Sequence, residues 1–197
     1  TAVVTAKGDG KFILRAVCNN GFDHAEIISD LYFTAEGLGD TLTDGYKFVS
    51  ASYASFSNVS LNFVDRGAVS NINGRTVIGF DNIKTDDFGS KKLTLYIGCC
   101  NSSGIDAEIW NGDPEKSKSR LIDTVKIPDN GGWDRYMPVK LELGERVRGI
   151  TSLAFVISQN CIFGGFEFER EDRARARLYA SEYDEIYGDD YTVKGGV

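Results

Sequence analysis

This chain is short of the side chains that most catalytic and metal sites lean on. Its 197 residues include a single histidine, His24, so neither a Ser-His-Asp triad nor a histidine-rich zinc site can be assembled from it. There are four cysteines, Cys18, Cys99, Cys100 and Cys161, and no Cys-x-x-Cys pair among them. We read all four as small buried hydrophobic residues kept reduced, with neighbours Cys99 and Cys100 pointing to opposite faces of a strand. Gly-x-Ser-x-Gly and phosphate-cradling glycine loops are missing. No apolar run approaches the ~20 residues of a membrane-spanning helix. Basic residues are also in deficit, 22 against 29 acidic, for a net charge of −7. Nucleic acid phosphates would be repelled by that balance, and the one basic run, from Arg173 to Arg177, reads as a solvated edge. The acidic pairs Asp86–Asp87, Glu167–Glu169 and Asp189–Asp190 read as solvated carboxylates, so the expectation is a chain that is not an enzyme.

Proline is scarce too, with three residues against 22 glycines. What fills the space is a succession of short strand-like runs separated by glycine and asparagine turns. Ala2–Ala6, Phe12–Val17 and Ile27–Thr34 read as strands, the first two joined through Gly8-Asp9-Gly10. After a polar link at Asp40–Asp44 come Tyr46–Tyr53, Leu61–Val64 and Arg75–Phe80, the last introduced by Asn73-Gly74, a strong hairpin signal. A polar loop is expected over Asp81–Ser90. Leu93–Cys100 is apolar at nearly every position and is expected to be central, followed by Asp106–Trp110 and Leu121–Ile127. Met137, Val139, Leu141 and Leu143 then alternate with polar partners, as on a half-buried strand. Gly144–Gly149 reads as a charged turn, Ser152–Ser158 as a buried strand, and Phe163–Phe168 as an aromatic closing strand. No convincing helix intervenes, and the pattern predicts an all-β antiparallel sandwich. Glu171–Tyr183 fits a short helix or an alternating strand equally well.

The segment Gly131-Gly132-Trp133-x-x-Tyr136, leading into the strand from Met137, the run SLAFVIS and the closing FGGFEF, resembles the C-terminal half of a family 6-like carbohydrate-binding module. The run YKFVSASYASFSNVSL with GRTVIGFDNI, DDFGSKKLTLYI and AEIWNGDP extends the resemblance, and that module follows immunoglobulin-like domains in bacterial family 2 glycoside hydrolases of the β-galactosidase type. TAVVTAKGDGKFILRAVCNNG and IISDLYFTAEGLG look like the tail of such an immunoglobulin-like domain. The resemblance implies three parts. Residues 1–40 would be partial immunoglobulin-like strands, 41–170 a galactose-binding-like jelly roll, and 171–197 a linker with the start of a further module. It also implies an accessory role for a parent enzyme whose catalytic barrel is not in this chain.

A sugar presents an apolar C–H face and a rim of hydroxyls, so its site wants a flat aromatic ring and a few amides or carboxylates. The resemblance puts Trp133 in the place of the aromatic platform and Asn160 in that of the amide, with Tyr53 or Phe56 as a second aromatic. The expected partner is then a glycan, galactose-containing by analogy. Counting by twos from Leu141 instead puts Trp133 on the inward parity, where it would cap the core and the chain would be a spacer between neighbouring domains. Trp110, beside the turn at Asn111-Gly112, reads as a partly buried edge residue. Related modules hold a structural calcium through a glutamate in the first strand and an aspartate before the last. Tyr46-Lys-Phe-Val-Ser-Ala and Gly164-Gly165 stand in those places, so no cofactor or metal is expected. The N-terminal strands, too few to bury both faces, are expected to pack on the module or pair with a second copy.

Overall fold

A computed structural model describes residues 5–6, 8–18, 27–35, 41–132 and 136–171. The described chain opens with a hairpin, β1 (Gly10–Cys18) and β2 (Ile27–Ala35). Short pieces follow: β3 (Thr43–Asp44), β4 (Val49–Ser50), β5 (Phe56–Ser57), β6 (Asn62–Val64) and β7 (Ala68–Ser70). The long strands are β8 (Thr76–Lys84), β9 (Ser90–Gly98), β10 (Ile105–Asn111), β11 (Arg120–Ile127), β12 (Met137–Val147), β13 (Ile150–Ile157) and β14 (Ile162–Phe168). One sheet has the order β11-β10-β13-β8-β3, with β5 also on β8. The other runs β12-β9-β14-β7-β6, with β4 also on β14. The pairings within both are antiparallel except β3 with β8. This is the all-β sandwich that the alternation predicted.

The core lies between the sheets because alternate residues of each central strand point into it. Leu93, Leu95 and Ile97 of β9 face Leu153, Phe155 and Ile157 of β13, all of them buried. Phe155 and Phe166 pack with ring centroids 4.9 Å apart, Phe80 meets Phe166 at 5.1 Å, and Phe163 meets Phe155 at 5.3 Å. Strand β13 is apolar throughout for a second reason. Its outward residues Ala154 and Val156, with Val77, are covered by Phe56 and Trp110 in a small cluster on the outer face.

Several boundaries differ from the sequence expectation. Tyr46–Tyr53 is not one strand: only Val49–Ser50 pairs, and Ala51–Tyr53 is a 3-10 turn. Here the chain leaves β14 in one sheet and crosses to β8 in the other. Ser50 Oγ accepts the Ser52 N–H across the turn, and Gly67, at φ +74°, makes room for Ser52, which a Cβ would meet at 2.8 Å. Asn73-Gly74 does not form a hairpin, because β7 and β8 belong to different sheets. Buried Ile72 carries the chain between them, and the left-handed residue is Asn71, at φ 58°. Strand β8 runs on to Lys84 and β12 to Val147, the latter through a register irregularity, where a loop and a turn were expected.

At the N-terminus the observed pairing is β1 with β2, Gly10 opposite Ala35 through Cys18 opposite Ile27. Of Ala2–Ala6 only Thr5 and Ala6 are described, and they lie outside any strand. Cys99 and Cys161 are buried as expected, whereas Cys18 and Cys100 are exposed. Cys18 ends a two-stranded ribbon with little to cover it, and Cys100 takes the outward parity next to Cys99. His24, the run Arg173–Arg177, Asp189–Asp190 and the segment after Glu171 lie outside the described residues.

Candidate functional site

The site expected from the sequence belongs at the end of the sandwich where β9 stops and β14 starts. Ile162 of β14 sits opposite Gly98 of β9, and Phe163 opposite Ile97. Asn160, exposed, lies in the short turn just before β14. On the other side of β9 the loop after β11 is fastened by one side chain. Asn130 Nδ2 donates to the Ile97 carbonyl at 2.8 Å, and Asn130 Oδ1 accepts from the Cys99 N–H at 2.9 Å and the Gly132 N–H at 3.3 Å. The same loop rejoins β9 where Met137 pairs with Ile97. Residues 133–135 lie outside the described residues, so Trp133 itself does too. Its flanks, Gly132 and Tyr136, are both held at this end of β9, beside the turn of Asn160.

A row of residues crosses the second sheet at that level: Phe63, Val69, Phe163, Ile97 and Met137 stand side by side on β6, β7, β14, β9 and β12. Residues directly opposite share a face. The three in the middle are buried in the core, while the ends emerge at the two rims, with Phe63 47% and Met137 45% exposed. Phe63 is therefore an aromatic at the open rim of the sandwich, near the end that carries Asn160. Asn62 beside it donates to Ser70 Oγ at 2.9 Å. The run Leu61–Val64 gave no sign of such a role; an aromatic on a three-residue edge strand has no signature until its partners are known.

The other two expected aromatics lie elsewhere on the rim and faces. Tyr53, 37% exposed, closes the 3-10 turn between the sheets. Phe56 sits at mid-strand on the outer face of the first sheet, with its ring laid on Gly79, where a Cβ would come within 2.0 Å of it. The Lys116 ammonium stands 5.8 Å from that ring. Trp110, on the same face, donates from Nε1 to Glu108 at 2.8 Å.

On the outer face of the second sheet the Gly164-Gly165 pair leaves space for other rings. The Tyr136 ring lies against Gly164, 2.7 Å from where a Cβ would be, and Phe48 reaches over Gly165. Phe48 also meets Tyr96 edge-on at 4.9 Å. The Tyr96 hydroxyl donates to Glu167 at 2.7 Å, and this bond, with burial, pushes its pKa up to about 12.

Carboxylates near the first and last strands of the sandwich are engaged by cations. Asp44 accepts the Tyr46 N–H and lies 3.8 Å from Lys47; Glu169 lies 3.4 Å from Lys92, and Glu171 3.1 Å from Arg146. Among the described residues no group of three or more acidic, histidine or cysteine side chains converges.

No family model matches the chain, and no curated protein does. Solved structures match well in shape. A family 6 module from Clostridium stercorarium, solved with cellobiose, superposes with a TM-score of 0.57 at 18% identity, over 66% of this chain and 98% of the other. A β-1,3-glucan-binding family 6 module from Bacillus halodurans gives 0.53 at 16% identity, over 66% and 100%. A family 6 module from Clostridium cellulolyticum, solved with xylose, gives 0.52 at 18% identity, over 65% and 100%. At such identities the likeness is one of fold, and the chain has the β-sandwich fold of the family 6 carbohydrate-binding modules.

Proposed function

We propose that this chain is a non-catalytic carbohydrate-binding module that holds a parent glycoside hydrolase of the family 2 β-galactosidase type near its glycan. The observation that carries the reading is the convergence at one end of β9. Asn160 on one side of β9 and Gly132 and Tyr136, the flanks of Trp133, on the other all lie toward that end, with Phe63 on the adjoining rim. In this reading Trp133 stacks on the apolar face of a sugar ring, Asn160 bonds its hydroxyls, and Phe63 or Tyr53 adds a second apolar wall. The ligand is a glycan of the galactose-containing class, with the β-linked glucose and xylose sugars bound by the solved neighbours as the first alternatives to test. One stacked ring and a few hydrogen bonds give weak binding, with a Kd of roughly 10 μM to 1 mM.

A glycan array followed by titration calorimetry on the chain tests this. Trp133→Ala is expected to abolish binding and leave the melting temperature nearly unchanged. A Trp133→Ala protein destabilised by about 3–5 kcal/mol, from a parent that binds no glycan, would instead mean that the tryptophan caps the core. The second reading, a structural spacer, is favoured by the hairpin, where Leu31 and Tyr32 are 60% and 59% exposed and await cover from a neighbouring domain or a second copy.

A further inference from the structure

We propose that Cys99 and Cys161, free thiols in the structure, join on oxidation in a cross-strand disulfide that ties the end of β9 to the start of β14 beside the candidate sugar site. The register carries the argument. Gly98 lies opposite Ile162 and Ile97 opposite Phe163, so one further step brings Cys99 opposite Cys161. Both side chains point into the core and are buried. The Cys99 N–H donates to Asn130 Oδ1, and its carbonyl accepts the Asn130 N–H at 3.1 Å. Both backbone groups thus turn toward the loop leading into β12, which lies on the side of β9 away from β14. Cys99 and Cys161 therefore form a non-hydrogen-bonded antiparallel pair, for which the Cα separation is about 4.5 Å. Disulfides span Cα separations of about 4.4–6.8 Å, so the two sulfurs can join with little backbone movement.

Burial raises both thiols above their ordinary pKa, and the adjoining Cys99 adds to a rise that takes Cys161 to about 12. Exchange is accordingly slow while this end of the sandwich is closed, and the bond forms during folding or a local opening. The oxidant is a small-molecule disulfide such as oxidised glutathione. The Cys99 thiolate attacks one of its sulfurs, releasing one thiol and leaving a mixed disulfide on the protein. Cys161 loses its proton and its sulfur displaces the second thiol from Cys99. Two electrons pass from the protein dithiol to the oxidant, and one protein disulfide replaces one small-molecule disulfide. The bond joins Cys99, the residue just after β9, whose N–H Asn130 holds along with that of Gly132, to the residue next to Asn160.

The experiment uses the full chain with Cys18→Ser and Cys100→Ser, so that the exposed thiols cannot form bonds between molecules. It is refolded in a glutathione redox buffer and, in parallel, in excess dithiothreitol. Maleimide labelling under denaturant is expected to find both remaining thiols in the dithiothreitol sample and none in the glutathione sample. Digestion should then yield a single pair of peptides joined through Cys99 and Cys161, and a higher melting temperature than the reduced form. Two titratable thiols after glutathione refolding, or a protein that stops at a glutathione adduct, would overturn the proposal. Adding Cys161→Ala gives a check that does not depend on native stability: the glutathione sample should carry the adduct on Cys99 in place of the internal bond.

Discussion

Gly79 shows how much one missing methyl group can organise. Its Cα is the floor on which the Phe56 ring rests, and that ring covers Val77, Ala154 and Val156 on the outer face. Gly79→Ala should push the ring off this floor and cost about 1–3 kcal/mol, as overpacking does; chemical denaturation of the variant checks it, and Phe56→Leu in the same background should recover part of the loss. Phe63→Ala is the opposite kind of change. Its ring is half in solvent, so stability should fall by only about 1 kcal/mol, while glycan affinity falls several-fold; unaltered titration curves would remove Phe63 from the site. At this scale the sequence was partly legible. The sequence marks Trp133 and Asn160 as candidates because a glycine-glycine turn and a closing strand frame them. Nothing in the sequence marks Phe63, whose place at the rim depends on the pairing of Val69 with Phe163, a partner far along the chain. Cys18 and Cys100 were misjudged because burial of a small apolar side chain depends on neighbours that local pattern does not supply.

Strands were legible where alternation ran long and less so where the chain changes sheet. The alternation of Met137, Val139, Leu141 and Leu143 set the inward face of β12 correctly. The crossing from β4 to β5 hid a 3-10 turn inside an apolar run, and Asn73-Gly74 carried a hairpin signature into a connection between sheets. A turn signal reports local dihedral preference, and the sheet to which the next strand goes is set by the core. One link beyond β14 had no sequence signature at all. Glu171 accepts hydrogen bonds from the Lys91 N–H at 2.8 Å and Ser90 Oγ at 3.1 Å, and pairs with Arg146, which stacks on Phe88 at 4.0 Å. Burial alone would raise the Glu171 pKa, but the Lys91 N–H, the Arg146 charge and the Ser90 hydroxyl together hold it below the ordinary value. A carboxylate lowered in this way adds stability above its unfolded pKa and loses it as pH falls through the folded one. Glu171→Gln should therefore be less stable than the parent at neutral pH. The difference should close as pH drops below about 4, and melting curves between pH 7 and pH 3 would record it. A constant difference across that range would mean that packing, and not charge, holds the segment.

In the whole molecule the two sheets share a single core, and the hairpin β1–β2 adds nothing to it among the described residues. Removing residues 1–40 should consequently leave the sandwich folded, with a melting temperature within the 2–4 °C that about 1 kcal/mol represents at this size. Loss of the cooperative transition would show instead that the hairpin is part of the fold. Long strands and their order of faces were readable; the sheet order was not, because pairings such as β3 with β8 and β4 with β14 join segments whose sequences carry no mark of each other. That order has a further consequence. The chain enters the sandwich at β3, beside Ile83 and Lys84 at the far end of β8. It leaves at Glu171, bound to Ser90 and Lys91 where β9 begins. Both ports are at the pole opposite Asn160 and Asn130. In the proposed reading, a glycan bound at the Asn160 end would meet the sandwich at the pole away from Thr43 and Glu171, the two points where the chain joins it.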